Sequence, residues 1–281
     1  MRENLPQSED VASEELPPVV RPTRLRQLTF HGGIVDRLDF LAEEVPVALV
    51  YNGVSHAVMM ASPADLADFA HGFSLSEGII ENAAEIRDIE TVVHEKGIEL
   101  NIELASERFH KLKERRRTIA GRTGCGLCGL ESLEAVARDL PIIAAQIRVP
   151  LAIVEKALAA LPSAQLHNAK AHALHAAGLA DSDGRLLLVR EDVGRHNALD
   201  KLIGASLKAK IDPAQSLALI TSRCSLEMVQ KAAIAGFPIL VSVSAPTAMA
   251  VRLAEGAGIT LLAIARHDSV LILTHPQRIL P

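Results

Sequence analysis

The chain has 281 residues, of which 49% are hydrophobic and only 2% aromatic, so its core must be built from aliphatic side chains. The formal net charge is −5 and the first 22 residues carry much of it, so the nearly neutral remainder argues against a broad, basic nucleic-acid-binding face. No apolar segment reaches the length of a membrane span, no signal peptide is recognisable, and the three cysteines do not form a secreted disulfide framework, so we expect a cytoplasmic protein.

The first part of the chain predicts a tail followed by an N-terminal α+β domain. Residues 1–22 are acidic and hold four prolines, which is typical of a disordered tail. Within residues 23–120, Asn52-Gly53 and Lys96-Gly97 each separate two strand-like runs, and both dipeptides predict hairpins. The paired strands are predicted at Val45–Tyr51 with Val54–Ala61 and at Ile89–His94 with Ile98–Leu104.

Two helices are predicted in the same domain. Ser62 and Pro63 have the residue types of an N-cap and a first helical position, for a helix that runs to Glu77. A second helix is predicted over 106–116, and its end carries a run of basic residues, which usually marks a solvated face.

Residues 121–149 predict a cysteine loop and a linking helix. The loop holds Cys125 and Cys128 among four glycines, so neither a helix nor a strand is expected to continue through it. A basic run precedes the loop at 111–117, and an amphipathic helix is predicted after it over 130–140. Positive charge and a helix N-terminus both favour the thiolate, which is the reactive form of cysteine.

The residues of this loop leave four interpretations open. A zinc site needs about four ligands, and one CxxC motif supplies two of them. A dithiol redox site is the second interpretation, although thioredoxin-like motifs usually lack this density of glycine. The third is a sulfur carrier, in which a thiolate accepts sulfur as a persulfide and a glycine-hinged loop delivers it. The fourth is a tight turn in which the cysteines are merely small.

From residue 150 to 281 the pattern changes to alternating helices and strands. Nearly continuous apolar strands between helices predict a sheet covered on both faces, in a C-terminal three-layer α/β domain. Helices are predicted at 151–161, 164–178, 196–209, 225–235 and 246–256. Strands are predicted at 185–190, 217–221, 239–244, 259–265 and 270–274.

Three strand-to-helix turns of this domain are polar, and such turns share one edge of a sheet. They span 190–197, 221–227 and 242–247, and each ends at a helix N-terminus, where backbone N–H groups favour an anion. The hypothesis is a phosphorylated or nucleotide-like ligand; the alternative is ordinary helix capping by Asn197, Ser225 and Ser244. The side chains predicted to hold the ligand are Arg195, His196, Ser222, Arg223, Ser244 and Thr247.

Three histidines and the third cysteine need separate interpretation. His196 could be an acid–base group, a phosphate donor or a structural residue. His172 and His175 lie three apart on the predicted helix 164–178, which could be half of a metal site, but packing is favoured and no metal site is predicted. Cys224 is predicted to be a small buried thiol with a structural role.

Several of these stretches resemble the formate dehydrogenase accessory sulfurtransferases, the FdhD family. The resemblance covers about residues 40–278 and is most specific in Arg190–Lys201, which reads REDVGRHNALDK. The other matching stretches are 44–53, 63–69, 72–73, 76–78, the CGLCG loop, 244–247 and 274–278.

The resemblance implies a sulfurtransferase. Members take sulfur from a cysteine desulfurase as a persulfide and pass it to the bis(molybdopterin guanine dinucleotide) form of the molybdenum cofactor, before the cofactor is inserted into formate dehydrogenase. By the family pattern, Cys125 carries the persulfide and Cys128 assists. The resemblance also implies a cytidine-deaminase-like C-terminal domain, a homodimer, and cofactor contacts from Ile264, Ala265, Arg266, His267, Asp268 and Ser269.

The chain also departs from the family pattern near the expected cofactor edge. The departures are at Ala171–Ala173, Ser222, Leu226, Ile264 and Leu271–Leu273. Zinc-dependent deamination is not expected, because His175-Ala176-Ala177 lacks the glutamate of the deaminase motif. We therefore expect sulfur handling to be retained with weaker cofactor binding. The alternatives are a non-catalytic cofactor chaperone and a redox or zinc regulator that uses the two loop cysteines.

Overall fold

The computed structural model describes residues 15–122, 139–265 and 268–281, and the side chains of all of these except 115–122. Residues 1–14 of the predicted tail, both loop cysteines and most of the predicted helix 130–140 lie outside these ranges. Among the residues within them, no helix is long and apolar enough to cross a membrane.

The first two strands form a sheet of their own. β1 (Val20–Leu28) and β2 (Ile34–Ala42) pair antiparallel along their whole length. Because the pairing starts with Val20 opposite Ala42, residues 20–22 of the predicted tail lie in a strand rather than in a disordered segment.

A second sheet has four strands in the order β4-β3-β6-β5. Its strands are β3 (Val45–Tyr51), β4 (Val54–Ala61), β5 (Ile86–His94) and β6 (Gly97–Leu104). Both predicted hairpins are confirmed, and Asn52 and Gly53 adopt φ values of 46° and 78°, the left-handed geometry that a tight type I′ turn requires. β3 and β6 are parallel neighbours, so the chain crosses over between them.

The crossover contains helix α1 (Leu66–Ser76), which begins later than predicted. Asp65, with φ of 54°, precedes the helix, so Ser62 is not its N-cap. Ser62 instead contacts a distant part of the chain: its hydroxyl accepts a hydrogen bond from the Val193 backbone, and its own N–H donates to Asp192. Ser62 therefore forms hydrogen bonds to residues far along the chain and does not cap α1. Helix α2 (Ser106–Arg122) confirms the predicted helix at 106–116 and extends it.

The C-terminal part is built on a six-stranded sheet in the order β13-β12-β11-β10-β8-β9. Its strands are β8 (His175–Asp181), β9 (Leu186–Asp192), β10 (Ser216–Ile220), β11 (Ile239–Ser242), β12 (Thr260–Ala263) and β13 (Leu271–Ile272). β10, β11 and β12 run parallel, whereas β8, β9 and β13 each join by antiparallel pairing. A short strand pair, β7 (Val149–Pro150) with β14 (Ile279–Leu280), lies beside it.

Helices cover both faces of this sheet, as the three-layer prediction requires. Helix α3 (Leu151–Ala160) lies on one face. On the other lie α5 (Arg195–Lys208), α6 (Leu226–Ile234) and α7 (Ala248–Gly256). Alternate residues of β10 project to opposite faces of the sheet. Leu217 and Leu219 pack in the core on the α3 side, and Ala218 and Ile220 pack in the core on the side of α5, α6 and α7. The mixed α/β fold class is confirmed.

The predicted helix 164–178 is wrong. The chain forms only a four-residue helix α4 (Asn168–Ala171), turns at His172 with φ of 53°, and continues into β8. The alanine-rich run favours a helix locally, but β8 is paired on both edges and nearly all its residues are buried. Consequently His172 and His175 do not share a helical face, and His175-Ala176-Ala177 is the start of a strand.

Helices α1 and α5 cross at two glycines and so join the N-terminal and C-terminal parts. A Cβ atom built on Gly72 would overlap the Asp200 carbonyl and lie 2.8 Å from the backbone nitrogen of Gly204. A Cβ atom on Gly204 would overlap the Asp68 carbonyl and lie 2.7 Å from the Gly72 nitrogen. The helices are therefore in backbone contact, which only residues without a side chain permit.

Candidate functional site

The three polar turns meet at one edge of the six-stranded sheet, as predicted. They follow β9, β10 and β11, which all point in one direction. The second and third turns are joined by backbone hydrogen bonds, from Cys224 N–H to the Ala245 carbonyl at 3.3 Å and from Thr247 N–H to the Cys224 carbonyl at 3.0 Å. The first and second turns meet where His196 Nε2 lies 3.9 Å from Glu227 Oε2.

Two helices open at this edge without a side-chain cap. Gly194 precedes α5 and has no side chain, and the side chain of Ser225, which precedes α6, accepts no hydrogen bond from the backbone of that helix. The Ser225 hydroxyl instead pairs with Glu227 at 2.6 Å. Asn197, a cap residue only in the alternative interpretation of this turn, lies inside α5. The positive ends of two helix dipoles therefore converge on the same region, which suits an anion, and at α6 the carboxylate of Glu227 already lies in the first turn.

Arg195 and His196 contribute buried polar atoms that have no hydrogen-bond partner among the described residues. These atoms are Arg195 Nε and His196 Nε2. Burial lowers the pKa of His196, and the neighbouring Arg195 lowers it further. Burial and Arg195 likewise lower the pKa of His175. The two imidazoles are therefore neutral at neutral pH, and Arg195 is the positive charge of the turn. Native proteins rarely leave such atoms unpaired, so they point to a bound group.

The remaining predicted ligand residues are placed differently. Ser222 is buried and its hydroxyl donates to the Arg223 carbonyl at 3.0 Å. Thr247 caps α7 by accepting a hydrogen bond from the Ala250 N–H at 3.2 Å. Both hydroxyls are thus engaged within the chain. Arg223 is exposed and Ser244 is half-buried, so their side chains stay near the solvent side of the edge.

The segment 264–269 reaches the same edge from β12. Ile264 N–H donates to the Ser244 carbonyl and Ala265 N–H to the Ser242 carbonyl, both at 3.2 Å. Ile264 has a φ of 51°, which turns the chain there. Asp268 and Ser269 are exposed, whereas the predicted contacts Arg266 and His267 lie outside the described residues.

A cleft of about 640 Å³ opens beside this segment, on the α3 face of the sheet. Its lining is mostly aliphatic, and its polar groups are Gln165, Thr221, Ser269 and the acidic Glu155 and Asp268. A smaller cavity of about 340 Å³ adjoins it, where the third turn meets Ile264 and Ala265. The volume of the larger cleft is that of a small-molecule site.

The sequence interpretation missed the residues that hold the first turn in place. Asp192 is fully buried: its Oδ1 accepts hydrogen bonds from Gly194 N–H at 2.8 Å and Asn197 Nδ2 at 3.1 Å, and its Oδ2 lies 2.6 Å from Lys201 Nζ. Lys201 also donates to the Ser62 carbonyl at 2.9 Å. This network, Ser62, Asp192, Asn197 and Lys201, couples the end of β4 to the turn that carries Arg195. The signal in the sequence that could have revealed this network is Lys201, a lysine within the apolar pattern of α5.

Of the three cysteines, the structure describes Cys224. Cys224 is fully buried, and burial raises the pKa of its thiol to about 12, so it is neither accessible nor ionised. That agrees with the structural role predicted for it. Cys125 and Cys128 lie outside the described residues, so their predicted roles stay predictions.

Comparison with known proteins finds relatives that match most of this chain. The FdhD/NarQ family model matches residues 42–280. "Sulfur carrier protein FdhD" of Bordetella petrii is 51% identical over 255 residues, which cover 90% of this chain and 92% of the relative. The protein of the same name from Xanthomonas axonopodis pv. citri is 51% identical over 241 residues, which cover 86% of both chains.

A solved structure is similar as well. The crystal structure of a protein described as a formate dehydrogenase accessory protein, from Desulfotalea psychrophila, superposes with a TM-score of 0.74 at 28% identity. The match covers 94% of this chain and 100% of the other.

Proposed function

Because this chain belongs to the FdhD/NarQ family, we propose that it is a sulfur carrier that serves the maturation of a formate dehydrogenase. The observation that carries the proposal is the 51% identity, over most of both chains, to proteins named sulfur carrier protein FdhD. The name of the similar solved structure supports formate dehydrogenase as the client. The glycine-flanked CGLCG loop supplies the thiols that a carrier needs.

The proposed transfer begins at Cys125. Its thiolate attacks the outer sulfur of a persulfide on a cysteine desulfurase, forms a new S–S bond, and releases the donor cysteine as a thiolate. No electrons are exchanged with a third molecule, and the sulfur is now held as a persulfide on this chain. Cys128 assists the reaction. Since Cys224 is buried with a raised pKa, it is unsuited to the same role.

The proposed sulfur acceptor is the bis(molybdopterin guanine dinucleotide) cofactor, bound as a substrate at the edge where the three turns meet. The uncapped N-termini of α5 and α6 and the positive charge of Arg195 are suited to its phosphates. The adjoining cleft of about 640 Å³ gives room for the non-phosphate part of such a ligand. His196 contributes a neutral imidazole, which can donate one hydrogen bond without adding charge.

Cys125→Ala is expected to abolish persulfide formation and client activation while leaving the fold intact. After incubation with a cysteine desulfurase and cysteine, intact mass spectrometry should show one added sulfur on the wild type and none on the variant. Cys224→Ser is the matched control and should retain most of the transfer. Full client activity of Cys125→Ala would contradict the carrier function, and one zinc ion per purified chain would favour a zinc regulator.

Arg195→Ala is expected to weaken binding of guanosine diphosphate at least about tenfold, because it removes a charge-assisted contact to phosphate. Isothermal titration calorimetry measures the affinity, which we expect to be below that of typical relatives because Ser222 and Leu226 depart from the family pattern. Arg185→Ala, at the opposite edge of the sheet, is the control and should bind like the wild type. Equal affinities for wild type and Arg195→Ala would place the site elsewhere. No binding at all, to the nucleotide or to the whole cofactor, would indicate that the departures from the family pattern have removed the acceptor.

A further inference from the structure

A buried carboxylate of β9 holds the loop 165–174, which leads into β8. Glu191 is 7% exposed, and each of its carboxylate oxygens accepts one backbone N–H of this loop. Its Oε2 accepts from His167 at 2.9 Å and its Oε1 from Asn168 at 2.7 Å. Both N–H groups lie at the start of α4, which at four residues is too short to be stable by itself. Glu191 therefore fixes the conformation of the loop.

Two side-chain amides extend this contact into the cleft. Asn168 Nδ2 donates to Gln165 Oε1 at 3.2 Å, and Gln165 Nε2 donates to the Leu161 carbonyl at 3.3 Å. Gln165 is 8% exposed and lines the cleft of about 640 Å³. Because an amide has two N–H donors and an oxygen with two lone pairs, these bonds leave Gln165 one donor and one acceptor position. They also fix the direction of the amide.

A second polar residue of the cleft depends on the strand that follows the loop. Thr221 Oγ1 accepts a hydrogen bond from Ala176 N–H at 2.9 Å, and Ala176 lies opposite Glu191 in the pairing of β8 with β9. On its other side, Glu191 is followed directly by Asp192, which holds the turn of Arg195. Glu191 thus connects that turn with the polar side chains of the cleft.

We propose that Glu191 is a positioning residue of the ligand site, which holds the loop 165–174 so that Gln165 hydrogen-bonds the non-phosphate part of the ligand in the cleft. This rests on the proposed function in one respect, namely that the phosphates bind at the turn of Arg195. Both carboxylate oxygens of Glu191 are engaged by the loop, so Glu191 acts through Gln165 and does not touch the ligand itself. Its replacement should therefore disturb the cleft and not the phosphate contact.

A purely structural role of Glu191 predicts a different result. If Glu191 only stabilised the fold, its replacement would weaken the binding of every ligand or of none. Inorganic pyrophosphate is small enough to occupy the turns alone, whereas guanosine diphosphate carries a further group for the cleft. The ratio of the two dissociation constants therefore reports on the cleft and not on the phosphate contact.

Isothermal titration calorimetry of the full chain with these two probes tests the proposal. Glu191→Gln replaces one acceptor oxygen by an NH₂ group, so it should raise the dissociation constant of guanosine diphosphate at least about tenfold and leave that of pyrophosphate within about threefold. Arg195→Ala should weaken both. Asp181→Asn is the matched control, because Asp181 also accepts two backbone N–H groups, from Asp183 and Arg185, but at the opposite edge of the sheet. It should change neither constant.

A second variant gives the same test without changing the buried carboxylate. Asn168→Ala removes the side-chain bond to Gln165 but keeps the backbone N–H that Glu191 accepts, and it should show the same difference between the probes. Circular dichroism confirms that each variant is folded. Equal weakening of both probes in the two variants, no weakening, or a wild type that binds neither probe would overturn the proposal.

Persulfide formation on Cys125 separates this proposal from the sulfur carrier function. Intact mass spectrometry after incubation with a cysteine desulfurase and cysteine should show the added sulfur at the wild-type level in Glu191→Gln and Asn168→Ala, because neither residue takes part in loading. A wild type that gains no sulfur but shows the difference between the probes would contradict the carrier function and support the role of Glu191.

Discussion

Gly204→Ala is expected to lower the free energy of unfolding by more than about 3 kcal/mol, because the added methyl group would overlap the Asp68 carbonyl at the crossing of α1 and α5. Neighbouring backbone cannot yield as a flexible side chain would, so the helices must separate. Separation would also pull on the nearby buried group in which Lys231 Nζ lies 2.8 Å from Asp200 Oδ1 and 2.9 Å from Ser76 Oγ. Urea denaturation followed by circular dichroism measures the loss.

The chain provides a matched control for this substitution. Gly256 is also helical, and a Cβ atom there would have no neighbour within 4 Å. Gly256→Ala should be neutral or more stable by up to about 1 kcal/mol, since alanine is the better helix former. Equal effects of the two substitutions would show that the helices do not depend on the glycine contact.

Lys201→Met is expected to cost about 3–5 kcal/mol of stability, because it leaves the carboxylate of Asp192 buried without its cation. The substitution should also affect the site, because the Asp192 carboxylate without its cation no longer holds Ser62 and the turn of Arg195 in one arrangement. We therefore expect weaker binding of guanosine diphosphate by calorimetry under conditions where the variant is still folded.

Two further variants test whether the effect depends on burial of the ion pair. Lys208→Met changes the same residue type in the same helix, but Lys208 is 43% exposed, so its bond to Asp68 should be worth less than about 1 kcal/mol. Lys201→Met/Asp192→Asn removes both buried charges and should recover part of the stability. A double variant no more stable than Lys201→Met would contradict the buried-charge explanation.

The local turn and layer patterns were readable from the sequence. Asn52-Gly53 favours a left-handed turn wherever it occurs, so the hairpin around it was predictable. Apolar strands alternating with helices determined a covered sheet, and with it the shared edge of the three turns. The CGLCG loop and the signature around Arg195 pointed to the family, whose membership the comparisons established. Each of these features is a local pattern that does not need a distant partner.

The tertiary structure decided what depends on distant partners. The run from His175 to Asp181 is a strand because β9 and β10 flank it, although its alanines favour a helix. Ser62 does not cap α1, because Asp192 and Val193 lie 130 and 131 residues further along the chain and bind it instead. In the same network, Lys201 and Asp192 of the polar stretch Arg190–Lys201 are buried and hold the turn in place. No local propensity could reveal these contacts, because β8 needs its neighbouring strands and the bonds of Ser62 form only once the N-terminal part has packed against the six-stranded sheet.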